Sequence, residues 1–217
     1  GLIEAVGAGI RAGSGIEVID GKGLSVYPGM IDAATNMGLL EIGGGAAGTV
    51  DVAETGNMNS NAKAITGINP NTSHINVTRV NGTTTVLSMP VSGLISGQSA
   101  IINLNGATQA EMAVVSTFSL IVKFPPVFYF VGFISGVGRK GIEFSQAVKQ
   151  RDNNVEELKK YFEDALNYAK ARDAYSANTS LPYLATDLKM EAMIPYVRGE
   201  KPVIFSADRE RDIRGAV

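Results

Sequence analysis

The chain lacks cysteine, holds one histidine, carries no excess of basic charge and has no long apolar run, and each shortage removes a class of function. Without cysteine there are no disulfides, no thiolate metal sites and no cysteine nucleophile, while the redox compartment stays open. His74 is the sole imidazole in 217 residues. A hydrolytic zinc centre ordinarily takes three protein ligands with histidine prominent among them, and one imidazole does not supply that. A Ser-His-Asp triad needs only one and stays formally open, but no Gly-x-Ser-x-Gly elbow accompanies His74. With 19 basic against 21 acidic side chains the net charge is −2. No broad basic surface is offered for counterion release, so nucleic acid drops out as a partner. The longest uncharged apolar stretch, 124–137, opens on Pro125-Pro126 and falls short of the ~20 residues a membrane helix needs. No signal peptide is visible, and the start at Gly1 leaves room for a removed leader or further N-terminal sequence.

What is present is a folding composition. A hydrophobic content of 45% over 217 residues suffices for a core in one large domain or two small ones. Segments 2–6 (Leu-Ile-Glu-Ala-Val) and 16–20 (Ile-Glu-Val-Ile-Asp) alternate in the strand manner around Gly13-Ser14-Gly15, which predicts a short antiparallel pair. Gly7, Gly9 and Gly13 do not form a dinucleotide-binding loop, because the interval between Val6 and Ile16 is too short for the helix that motif must open.

Pro28-Gly29 then stops the chain, and Met30 to Ala34 reads as a small-residue strand buried on both faces. Alternation along that strand points Asp32, Ala34 and Asn36 to one side. Residues 39–73 form a long Gly-, Asn- and Thr-rich connection holding an oxygen-bearing cluster of Asp51, Glu54, Asn57 and Asn59, which is either a polar site wall or ordinary loop solvation.

His74 to Asn81 reads as a short helix ended by Asn81-Gly82, with His74 a helix-start residue, and Thr83 to Pro90 has the β-branched density of a buried strand. Ala100 to Leu104 is a further strand and Ala113 to Phe124 a further apolar run. The aromatic run 128–133 is read as a cover for one end of the fold or as a contact with another subunit. Apolar residues recur at helical spacing from Asn153 to Arg172, with Asp152 or Asn153 as cap and Glu156–Lys160 as an i,i+4 pair. Asp187 to Arg198 is a second helix closed by Gly199, Lys201 to Ala207 a strand, and Asp208 to Val217 a charged helix. The four Asn-x-Ser/Thr triplets, at Asn71, Asn76, Asn81 and Asn178, are expected by chance in an Asn- and Thr-rich chain.

The run Tyr27-Pro28-Gly29-Met30-Ile31-Asp32, the helix–Asn-Gly–Thr-Thr-Thr-Val-Leu unit, the loop Ser92 to Ser99 and Pro202 to Ala207 together resemble the amidohydrolase superfamily, most closely its imidazolonepropionase-like branch. The resemblance implies an α/β fold, a partial TIM-like (β/α) barrel. Residues 1–27 would be strands of a small β-sandwich and 28–217 the N-terminal portion of the barrel. It also implies loops at the strand C-terminal mouth that build the site, which singles out Ser96, Gln98 and Ser99.

The family's His-x-His pair falls on Ala34 and Asn36, and the histidine of a later His-Ala strand falls on Ser206. The candidate pocket is therefore Asp32, Ala34, Asn36, Asp51, Glu54, Ser96, Gln98 and Ser206, with no metal ligand assigned and the catalytic group unknown. Zinc or another divalent cation is expected only where the family site is intact.

Two functions follow from the resemblance. One is hydrolysis of a carbon–nitrogen bond in a cyclic amide or peptide-like substrate by metal-activated water, with ligands drawn from Asp32, Asp51 or Glu54 or from outside this sequence. The other is a non-catalytic member of the fold that binds a small amide-like ligand or a partner. That partner is a second copy or a complementary C-terminal barrel half, with the chain as one half of a split enzyme, a truncation product or part of a longer polypeptide. An unrelated α/β protein is the third reading.

Overall fold

The computed structural model describes residues 2–42, 47–127, 132–134, 138–140 and 143–216. Its elements are β1 (Met30–Thr35), α1 (Ala64–Gly67), α2 (Ser73–Val80), β2 (Thr83–Ser88), β3 (Ile95–Gln98), β4 (Ala100–Asn103), α3 (Gln109–Met112) and β5 (Ala113–Val115). They continue with β6 (Leu120–Lys123), β7 (Gly132–Ile134), β8 (Gly138–Lys140), α4 (Phe144–Ala177), α5 (Leu188–Val197), β9 (Val203–Ser206) and α6 (Glu210–Ala216).

The strands form a four-stranded sheet ordered β1-β2-β4-β5, a three-stranded sheet ordered β3-β6-β9 and the hairpin β7-β8. Two pairings are parallel, β1 with β2 and β6 with β9, and each has helix in its connection, as parallel neighbours require. The other pairings are antiparallel. The architecture is mixed α/β, and the described strands close no barrel.

Each sheet has its own apolar cluster. Leu39, Ile68, Ile75, Val86, Ile102 and Met112 pack against the first; Ile95, Leu120, Val122, Leu158, Met193 and Tyr196 pack against the second. The two meet at Ser99, the single residue between β3 and β4. Its Oγ lies 2.6 Å from Ser119 Oγ, and both serines are fully buried.

The outer edge of β3 is covered by the segment 57–63, which bridges at Met58–Ile95 and Lys63–Gln98. Gly93 permits that approach. It sits at φ +58, and a Cβ there would stand 2.7 Å from both the Gly56 and Asn57 carbonyl oxygens.

Most elements fall where pattern and caps predict. α2 ends at Asn81, and Gly82 takes the left-handed conformation, φ +92, that a helix stop asks for. The Asp187 carboxylate caps α5 by accepting from the Lys189 and Met190 amides at 2.8 and 3.2 Å.

Five expectations are corrected. Segments 2–6 and 16–20 make no ladder: the turn at Gly13 forms, with the Ile16 amide donating to the Gly13 carbonyl at 3.3 Å, but the apolar side chains stay exposed. A lone hairpin with no face to bury is marginal, and no described layer covers this one.

β1 is not buried on both faces. It is an edge strand paired only with β2, and Met30 and Ile31 are 57% and 72% exposed. Ser96 and Gln98 lie not on a mouth loop but inside β3, buried, because this stretch pairs with β6.

α4 begins at Phe144, nine residues before Asn153, since nothing in 144–152 breaks a helix and Ala147 is buried on the inner face. Glu156 pairs with Lys159 and Lys160 with Asp164, rather than Glu156 with Lys160. The aromatic residues 128–131 lie outside the described residues, as do the side chains of Gly132 and Phe133.

Candidate functional site

The end of β1 is tied to the chain leaving β2. The Met89 amide donates to the Thr35 carbonyl at 2.8 Å, and Asn36 Nδ2 donates to the Met89 carbonyl at 2.6 Å. A carbonyl only accepts, so the Asn36 amide is oriented and its Oδ1 is left as an acceptor. Beside it opens a cleft of ≈340 Å³ lined by Thr35, Asn36, Met37, Leu40, His74, Val77 and Thr78. Among the described residues no lysine, arginine or carboxylate lines it. His74, exposed in the first turn of α2, is brought here together with Asn36.

The other predicted residues do not share that cleft. Asp32 turns its carboxylate back on its own strand, accepting from the Ala34 amide at 3.0 Å, and both residues are exposed. Ser206 is at the end of β9 on the second sheet, exposed, with its carbonyl accepting from the Phe124 amide at 3.0 Å. Ser206 lines none of the clefts that hold Asn36, Asp51 or Gln98.

Asp51 and Glu54 flank a hollow of ≈30 Å³, with room for about one or two waters but not for a substrate. Ser96 Oγ is an internal strut accepting from the Ser92 amide at 3.1 Å.

Gln98 opens onto a different cleft, of ≈440 Å³, lined by Asn61, Lys63, Gln98, Thr117, Leu188, Glu191, Ala192 and Pro195. Its side chain is fixed from behind: Nε2 donates to the Ser60 carbonyl at 2.9 Å, and Oε1 accepts from the Tyr196 hydroxyl at 3.3 Å. Burial pushes the Tyr196 phenol up to about 12, so it remains a donor throughout the neutral range. Burial also raises the Tyr161 phenol, which meets Ser60 Oγ at 2.8 Å. The Tyr168 phenol is raised by burial and then by its hydrogen bond to Glu191.

A measurable consequence follows for Tyr196. The folded chain favours the neutral phenol, so its contribution is complete below pH 10, the ordinary tyrosine value, and is lost as pH climbs through about 12. Alkaline unfolding followed by circular dichroism should be steeper over this window in the wild type than in Tyr196→Phe; parallel curves would remove the assignment.

Among the described residues no three histidine, aspartate or glutamate side chains converge as a metal-holding group. At the positions that the sequence resemblance sets against metal ligands, Ala34 offers a methyl, Asn36 a carboxamide and Ser206 a neutral hydroxyl. These do not fit zinc, which takes imidazole, thiolate or carboxylate.

Sequence reasoning missed Tyr196, Lys63, Glu191 and Lys201. The signal for Tyr196 was available, since Met190, Met193 and Tyr196 share one face of α5, and a tyrosine on a buried face needs a polar partner such as Gln98.

No protein-family model and no curated protein matches the chain. One solved structure, an amidohydrolase from Thermotoga maritima MSB8, is similar with a TM-score of 0.71 at 24% identity over 95% of this chain. The chain spans 53% of that protein's length. What this likeness shows is a shared fold: the chain folds as about half of an amidohydrolase does.

Proposed function

We propose that the chain is a non-hydrolytic, ligand-binding member of the amidohydrolase-type fold, a partial (β/α) barrel whose ligand cleft is the one between Asn36 and His74. One observation supports the reading: the three positions that the resemblance sets against metal-binding histidines hold a methyl, a carboxamide, which is a weak oxygen ligand, and a neutral hydroxyl. A metal-activated water has nothing there to be anchored by.

The ligand is small, neutral and amide-like. The cleft offers the Asn36 carbonyl oxygen, the His74 ring and the Thr35 and Thr78 hydroxyls, set among Met37, Leu40 and Val77, and among the described residues no lysine, arginine or carboxylate lines it. The partner is a complementary set of barrel strands. β1 and β9, like β5, are edges paired on one side only among the described strands, and both expose apolar side chains, Ile31 at 72% and Phe205 at 42%.

Metal analysis and a ligand titration test this together. Wild-type protein is expected to carry no stoichiometric transition metal and to leave hydantoin unhydrolysed after zinc supplementation. Hydantoin is expected to shift the NMR signals of Asn36, His74 and Thr78 saturably, with Asn36→Ala weakening binding about tenfold. Stoichiometric zinc with hydrolysis would restore the enzymatic reading. Tight zinc binding by the triple variant A34H/N36H/S206H would place the three strand tips around one point.

A further inference from the structure

The ≈440 Å³ cleft over Gln98 shares no lining residue with the cleft beside Asn36, and it lies at the end of β6 and β9 away from Ser206. Thr117 precedes β6, Pro195 and Lys201 precede β9, and Gln98 pairs with Leu120, the first residue of β6. The strand tips that carry Lys123 and Ser206 are at the other end of the same parallel pair. This cleft is therefore separate from the proposed ligand site, and the inference does not rest on that reading.

Its charge balance is uneven. Glu191 is the one carboxylate on the lining, and it is already answered: its Oε1 is 2.9 Å from Arg172 Nε and accepts from the Tyr168 hydroxyl at 2.8 Å. Two cations are not answered. Lys63 lines the cleft, and among the described residues it makes no ion pair. Lys201 reaches Thr117 on the cleft wall, where Nζ donates to the Thr117 carbonyl at 2.8 Å and to its Oγ1 at 2.6 Å. An ammonium has three N–H donors, so one remains, and it is held in place by the other two.

The floor is equally well defined. Tyr196 and Ser60 fix the Gln98 amide so that Nε2, which spends one N–H on the Ser60 carbonyl, has a second. The cleft thus has one unneutralised ammonium, Lys63, on its lining, a second, Lys201, outside the lining but bonded to Thr117 on its wall, and an oriented amide donor on a floor that is 5% exposed.

We propose that this cleft is a second binding site, for a small carboxylate that also carries an amide carbonyl, of the class of an N-acylated amino acid. Lys63 holds the carboxylate, the Lys201 charge behind Thr117 supports it, and the Gln98 and Asn61 carboxamides meet the amide. Charge-assisted bonds to a carboxylate are the stronger contacts and set the affinity, while the amide contacts set orientation.

N-acetylglycine is the probe, with acetamide as its neutral counterpart, titrated into isotope-labelled full chain and followed by NMR. N-acetylglycine is expected to shift the signals of Lys63, Gln98, Thr117 and Ala192 saturably, and acetamide to leave them in place. Lys63→Met, a change at an exposed side chain, is expected to weaken binding roughly tenfold, and Lys201→Met, whose charge stands behind Thr117, by a smaller factor. Unchanged far-UV circular dichroism and amide chemical-shift dispersion serve as the control for an intact fold in both variants. The absence of saturable shifts at these four residues by ~10 mM probe overturns the proposal. So does equal affinity for N-acetylglycine in wild type and Lys63→Met.

Discussion

Replacing Gly93 by alanine is expected to lower stability by about 3–5 kcal/mol, among the largest effects of any single methyl group in this chain. Two terms add. The residue sits at φ +58, where an L side chain is disfavoured by roughly 1–2 kcal/mol. The added Cβ would also stand 2.7 Å from two backbone oxygens, those of Gly56 and Asn57, and backbone cannot rotate away as a side-chain tip does.

Retreat is blocked by the ladder around it, since the Leu94 and Ile95 amides both donate to the Asn57 carbonyl, at 2.8 and 2.9 Å. Relief would require the segment 57–63 to lift off β3. Urea unfolding read by circular dichroism checks this against Gly21→Ala, where nothing lies within 4 Å of the new Cβ and the change should stay within about 0.5 kcal/mol. Equal midpoints for the two variants would mean that the 56–57 turn does not press on Gly93.

Met193→Ala should cost about 2–5 kcal/mol, the range for emptying a fully buried site. Met193 is completely enclosed and packs with Leu158 and Ala165 of α4 and with the strands of the second sheet. The penalty is set by how far α5 can collapse into the space, and Pro195 two residues later limits that movement. A second readout separates packing from helix propensity, because alanine is itself a good helix former. Tyr196 sits one turn beyond Met193 on the same face, so loosening α5 admits water to its phenol and brings its titration back from about 12 toward 10. Met30→Ala, on the exposed edge strand, is the comparison and should change stability by less than about 0.5 kcal/mol.

The elements that sequence reasoning located were those whose signals are local. α2 announces itself through Asn81-Gly82, α5 through the Asp187 cap, and β2, β4 and β9 through short β-branched runs with turn residues at their ends. What it could not supply is what each strand lies beside. β1 reads as interior because Met30-Ile31-Asp32-Ala33-Ala34 is small and apolar, yet burial is a property of neighbours, and only β2 is there. Ser92 to Ser99 looks like a polar loop because serine, glycine and glutamine are turn formers, while the ladder to β6 turns half of it into buried strand.

The candidate pocket divided for the same reason. Its members came from three separate sequence phrases, and the fold sends Asn36, Asp51 and Gln98 to three different hollows while Asp32, Ala34 and Ser206 stay on the surface. The Asn36–His74 pairing was the reverse case: 38 positions apart, unremarkable in composition, and joined only by the return of α2 to the end of β1.

The junction at Ser99 bears on how the molecule comes apart. β3 and β4 follow one another with one residue between them and yet belong to different sheets, so the crossing has no slack to absorb relative movement of the halves. Ser99 is latched on both sides of its peptide unit, its amide donating to the Ser119 carbonyl and its carbonyl accepting from the Phe118 amide, each at 2.8 Å. Tugging on either half therefore loads the other through a taut backbone, and the two layers should melt in one step instead of peeling apart in sequence.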